Sequence, residues 1–84
     1  MLSSFIAGLD LGQVQDFSAL AVAEVVGAPG NRRYAVRHLT RWPIGTSYPD
    51  IVKAVAALYR RPPLSGSELV VDATGVGRAV VDMF

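Results

Sequence analysis

The stretch ELVVDATGVGRAVVDMF, residues 68–84, decides how the chain is read. An apolar run at 69–71 ends on a carboxylate, Asp72, and Thr74, Gly75 and Gly77 follow at once. Glycine enters backbone conformations that other residues avoid, so a sharp turn is expected just after Asp72. Residues 68–72 read as a buried strand, too short and too apolar for an edge hairpin, and the segment from Thr74 onward reads as the start of a helix. Three roles fit Asp72 at this point: a metal ligand, part of a phosphate loop, or a plain strand-to-helix turn residue.

Working back from that stretch, the period of the apolar pattern changes. Tyr48, Ile51, Val52, Val55, Leu58 and Tyr59 recur at three- and four-residue spacing and predict one face of a helix. Ser47 with Asp50 three residues on has the spacing of a capping box, and Pro49 is tolerated in a first helical turn. Arg60 and Arg61 suit the negative end of the helix dipole, and Pro62 and Pro63 end the hydrogen-bond ladder. Before the helix, residues 32–42 alternate in polarity and predict a partly exposed strand. The GAPGN cluster at 27–31 predicts a hairpin loop, preceded by a second strand at 18–26. FIAGLD, residues 5–10, predicts a buried first strand that ends on Asp10 and turns at Gly12.

The expected fold is therefore α/β, a three-stranded antiparallel meander with a fourth strand returned by a helix to lie parallel to the first. Eighty-four residues hold one core, with roughly 60–65% of the unfolded chain's surface buried, so a single domain spanning 1–84 is expected. The last helix ends on Met83 and Phe84 without a cap, which gives the expectation of a chain cut within a larger fold, by construction or as a gene fragment. There is no cysteine, hence no disulfide framework and no thiolate zinc site. No segment reads as a signal peptide or approaches the roughly 20 apolar residues of a membrane span, so no membrane partner and a cytoplasmic setting are expected. The net charge of +1 does not by itself demand a nucleic-acid partner, so charge placement has to decide.

The strand order puts Asp10 and Asp72 at the carboxyl ends of neighbouring strands, roughly 5 Å apart. Two like charges at that spacing repel, and the expected resolutions are a retained proton or a shared cation. Oxygen ligands with no cysteine and a single histidine favour Mg²⁺ or Mn²⁺ over zinc. Such ions suit phosphodiester chemistry. Asp16, Glu24 and Asp82 are secondary carboxylate candidates, and each has a plainer reading: a turn former, a strand side chain on the side of Leu20, Val22 and Val26, and a solvated helix face. Arg33, Arg37 and Arg41 recur every fourth residue and are expected on one face of the sheet, with Arg32 beside them at the hairpin. That stripe suits either a phosphate backbone or a strand edge blunted by charge. Thr74, Gly75, Gly77 and Arg78 suit a weak phosphate loop in which Thr74 caps the last helix, or glycines that serve only geometry.

GLDLGQVQDFSALAVAEV, residues 8–25, followed by LVVDATGVGRAVVD, residues 69–82, resembles the ribonuclease H-like nuclease domain of phage terminase large subunits, the motors that package and cut viral DNA. The resemblance covers almost the whole chain. It implies a ribonuclease H-like fold and a Mg²⁺- or Mn²⁺-dependent DNA endonuclease with a two-metal site. By matching motifs it assigns Asp10 and Asp72 as catalytic metal ligands, and it implies a further carboxylate from an element after a fifth strand. Implied partners are double-stranded DNA, a terminase motor domain and a portal, and the implied compartment is the host cytoplasm. With part of the ligand set, these 84 residues alone are expected to be weakly active or inactive. An uncovered fourth strand is expected to leave an edge open to a second copy.

Three other readings stay open. The actin-like and sugar-kinase ATPase fold also places Asp-X-Gly after a strand, as Asp10, Leu11 and Gly12 do, but Asp16 in the following loop repels phosphate. Holliday-junction resolvases share the fold and the first aspartate. A non-catalytic remnant or docking module of the same fold is the third.

Overall fold

Two periodicities build the domain, and both are visible in a computed structural model that describes residues 3–13 and 15–84. Alternating apolar residues form four strands, β1 (Ser3–Asp10), β2 (Ser18–Val26), β3 (Arg33–Trp42) and β4 (Glu68–Asp72). The helical spacing forms α1 (Tyr48–Tyr59), and a single turn, α2 (Arg78–Val81), follows β4. The strands make one sheet in the order β3-β2-β1-β4, with β1–β2 and β2–β3 antiparallel and β1–β4 parallel. The result is an α/β domain with a mixed four-stranded sheet.

One face of this sheet carries the core. Ala7, Leu9 and Leu11 of and just after β1, Leu20 and Val22 of β2, Ile51 and Val55 of α1, and Leu64 are buried together. Ile51 and Val55 are one helical turn apart, and Tyr48, Leu58 and Tyr59 extend the same apolar stripe. Ser47 caps α1 by accepting from the Asp50 amide at 3.3 Å, as its spacing predicts. Tyrosines at both ends of α1 tie it to the sheet: the Tyr48 hydroxyl donates to the Gly12 carbonyl at 2.7 Å, and Tyr59 donates to the Glu68 carbonyl at 3.1 Å.

The other face is open. Cross-strand partners share a face, so the register puts Ser4, Ile6, Gly8 and Asp10 of β1 on the open side with Ala19, Ala21, Ala23 and Val25 of β2. Glu68, Val70 and Asp72 of β4 join them. No helix of the structure is long and apolar enough to cross a membrane among the described residues.

Three expectations need correction. First, β4 is an edge strand rather than a buried one, with Val70 half exposed, because β1 pairs it on one side only. Second, the last helix does not start at Thr74. Residues 73–76 form a turn closed by the Val76 amide on the Ala73 carbonyl, and Gly77 in extended conformation caps the single turn of α2. Third, Arg33, Arg37 and Arg41 do not share a face. Val22 pairs with His38 while Ala23 pairs with Val36, so a bulge inserts Arg37 and resets the alternation. Arg33 pairs with Val26 on the core side, and Arg41 pairs with Ala19 on the open side.

Candidate carboxylate site

Asp10 and Asp72 are the last residues of two adjacent parallel strands and are paired in register. They therefore stand on the same open face one strand spacing apart, about 4.8 Å, and both are exposed. Past the strand ends the ladder takes one more bond, from the Leu11 amide to the Asp72 carbonyl at 3.0 Å. That bond holds the two chain turns together immediately behind the carboxylates.

Each turn is then fixed by its own polar contacts. After β1, the Gly12 amide donates to the buried Ser18 hydroxyl at 3.0 Å, and the Gly12 carbonyl accepts from Tyr48. The Asp16 amide closes the same loop on the Gln13 carbonyl at 2.9 Å. Gly12 has no room for a side chain, since a Cβ there would press on the backbone carbonyls of Asp16 and Phe17. After β4, Asp72 Oδ1 accepts from both the Thr74 hydroxyl, at 2.7 Å, and the Thr74 amide, at 3.1 Å. Gly75 has φ +77°, and the Gln13 side chain lies where its Cβ would be, so the two loops close on one another.

The Thr74 hydroxyl first, and its amide second, hold the Asp72 carboxyl below the usual carboxylate range. This amends the expectation that the two charges require a retained proton or a cation. Both carboxylates face water, and Asp72 has two donors already stabilising its charge. The same contacts correct the role of Thr74, which braces Asp72 instead of capping α2.

The secondary candidates lie apart from the pair. Asp16 lines a groove of about 220 Å³ with Gly12, Gln13, Ser18 and Tyr48, a groove that does not include Asp10 or Asp72. Glu24 pairs with Phe5 at the far end of β1, on the core side of the sheet, where Arg37 bridges it at 2.9 Å. That geometry corrects its reading as a third ligand. Asp82 ends α2, and the next residues, Met83 and Phe84, line a cleft with Val55 and Tyr59 of α1, on the helix-covered side. Among the described residues, no group of three or more His, Cys, Asp or Glu is gathered that can hold a metal.

Of the basic residues, Arg41 alone shares the row of the carboxylates. The register runs Arg41, Ala19, Asp10, Asp72 across the open face, which puts Arg41 two strand spacings, roughly 10 Å, from Asp10. Its guanidinium stacks over the Phe17 ring at 4.1 Å from the centroid. Arg32 and Arg33 stand at the opposite end of the sheet, where Arg32 lines a groove with Tyr34 and Glu68. Arg78 opens α2 and is exposed, with Gly77 before it.

Four residues at the site carry no local sequence signal: Gln13, Phe17, Ser18 and Tyr48. Tyr48 reads as a core-facing helix residue, and its hydroxyl's partner lies thirty-six positions away. Only the tertiary fold brings the pair together. Compared with known proteins, the chain matches no family model, no curated protein and no solved structure.

Proposed function

We propose that the domain is a divalent-metal-dependent DNA nuclease of the ribonuclease H-like kind, as in phage terminase large subunits, with Asp10 and Asp72 as its metal ligands. The observation that supports this most is the in-register parallel pairing of the two aspartates on an open sheet face. On this reading the substrate is double-stranded DNA, and a terminase motor domain and portal are the assembly partners.

The donor set fits a hard cation. Mg²⁺ typically keeps several waters and takes one or two carboxylates plus substrate phosphate oxygens, so two exposed aspartates suffice to hold it loosely. When bound, such an ion supplies charge stabilisation at phosphate oxygens and acidifies water. The chain's own residues do the rest. Thr74 engages Asp72 Oδ1 with both donors, which orients the carboxylate and leaves Oδ2 as its free acceptor. The Leu11 to Asp72 bond fixes the spacing of the two strand ends. Arg41 offers a positive charge along the same row for a neighbouring phosphate.

The test is Mn²⁺ binding by titration calorimetry or electron paramagnetic resonance. Asp72→Asn and Asp10→Asn are each expected to abolish the bound-ion signal while keeping the circular dichroism of the parent. Equal Mn²⁺ affinity in parent and variants would sink the assignment. Nicking of supercoiled plasmid in Mn²⁺ then reads activity separately.

A further inference from the structure

Beside the carboxylate row, the open sheet face holds a depression that neither core packing nor the pair of aspartates uses. It measures about 430 Å³, and Gly8, Ala19 and Ala21 floor it. Asp10 closes one side, and Leu39 and Arg41 close the other. The floor is flat and apolar. Gly8 pairs with Ala21, and the next row on this face pairs Asp10 with Ala19, so the patch spans one strand spacing by two residues, roughly 5 by 7 Å. A Cβ added at Gly8 would meet nothing within 4 Å, so the space above it is empty. The strands beneath, β1 and β2, are the two inner strands, and neighbours on both sides take up their backbone polar groups. The floor therefore offers a ligand contact area and no hydrogen bonds.

Arg41 is the charge at its wall. The guanidinium lies 4.1 Å from the centroid of the Phe17 ring, and Phe17 immediately precedes β2, so the charge is held at the sheet end where Asp10 and Asp72 stand. The ion pair among the described residues joins Arg37 to Glu24 at 2.9 Å and does not involve Arg41. Stacking on an aromatic face leaves the N–H edges of a guanidinium free to donate, and phosphate oxygens match their fork geometry.

We propose that the depression is a subsite for one unpaired nucleotide of the substrate strand. Its base and sugar lie over Gly8, Ala19 and Ala21 against Leu39, and Arg41 holds the phosphate on the side away from the carboxylates. A nucleotide matches the depression on both counts. Its base is a flat face that stacks without regard to sequence, and its phosphates answer the Arg41 charge, which an apolar partner would leave unmet. Arg41 and Asp10 stand two strand spacings apart, roughly 10 Å, and both side chains shorten that gap, so one phosphate meets the guanidinium while the next reaches the carboxylates' cation. A paired base does not fit this geometry, because in a duplex its faces are covered by its neighbours and its edge by its partner. The inference rests on the nuclease reading and deepens it: the strand that is cut crosses the row Arg41, Ala19, Asp10, Asp72 locally unpaired.

Fluorescence anisotropy in EDTA tests it, with a labelled single strand of about 12 nucleotides and the same strand annealed to its complement. The full chain carrying Asp10→Asn and Asp72→Asn is used, so that neither metal nor carboxylate repulsion enters the result. The single strand is expected to bind about tenfold tighter than the duplex. Gly8→Leu and Ala21→Leu fill the depression from exposed positions, and each is expected to weaken single-strand binding about tenfold with circular dichroism unchanged. Arg41→Gln is expected to weaken it to a similar degree and to lower the salt slope by about 1. Binding of neither nucleic acid overturns the proposal. So does equal binding of single strand and duplex, or single-strand binding that both filled variants leave untouched. A free nucleoside monophosphate that competes as well as the strand overturns the strand assignment in favour of a small-molecule site. Mn²⁺ binding is read on the unsubstituted chain, so failure of the metal site and failure of the subsite are separate results.

Discussion

Glycine to alanine at two positions four residues apart is expected to have opposite effects. Gly12 and Gly8 flank Asp10, and neither has positive φ, so the backbone alone does not distinguish them. Surroundings do. A Cβ at Gly12 would stand 2.6 Å from the Asp16 carbonyl oxygen and closer still to that of Phe17, against about 3.4 Å for ordinary contact. Those atoms belong to backbone, so the loop has to open. Opening breaks the Gly12 amide bond to Ser18 and the Tyr48 bond to the Gly12 carbonyl. Each is worth about 1 kcal/mol, and a buried Ser18 hydroxyl left without its partner adds about 1 to 2. Gly12→Ala is therefore expected to lose about 3 kcal/mol. A chain of this size holds in total only about 4 to 12 kcal/mol of stability. At Gly8 the added methyl meets nothing, and alanine restricts the unfolded strand more than glycine does, so Gly8→Ala is expected to be neutral or to gain up to about 1 kcal/mol. Urea unfolding followed by circular dichroism measures both. A Gly12→Ala midpoint within error of the parent would refute the claim that the first loop is closed by packing on Gly12.

Two further predictions concern the brace and the core. Thr74→Val removes the hydroxyl that is the leading cause of the lowered Asp72 pKa, so the Asp72 titration midpoint followed by NMR is expected to rise. A depressed carboxyl contributes stability above its unfolded pKa and loses it as pH falls through the folded value; the variant is thus expected to begin losing that contribution at a higher pH in the acid range. An unchanged midpoint would show that Thr74 does not hold Asp72. Ile51→Ala empties a fully buried position between α1 and the sheet and is expected to cost about 2 to 5 kcal/mol by urea unfolding. A cost below about 1 kcal/mol would mean that α1 does not seat as described.

The sequence carried the element order because each element has its own period. Ser47, Asp50 and the Ile51 to Val55 spacing announce α1, and FIAGLD and ELVVD announce strands that end on carboxylates. It did not carry the bulge at Arg37. An inserted residue leaves the alternation of β3 looking regular, and only its pairing with β2 exposes the slip. The helix expected from Thr74 starts only at Arg78 because helical propensity at 78–82 is local, whereas the turn at 73–76 depends on Asp72 accepting from Thr74 and on Gln13 filling the space over Gly75. The pairing of Asp10 with Asp72 was legible through topology. The bonds that steady it, from Tyr48, Ser18 and Leu11, join residues whose types have many uses and whose partners only the fold selects.

The parallel pairing of β1 with β4 has a consequence in time. The meander strands meet through short turns, but β4 reaches β1 only after the whole stretch between them has been gathered in, and that closure carries the largest chain-entropy cost in the sheet. Contacts so distant in sequence are the slow ones in folding. The two aspartates are therefore expected to become neighbours late in folding, and a chain with its meander formed and β4 still free would carry both carboxylates without possessing the site.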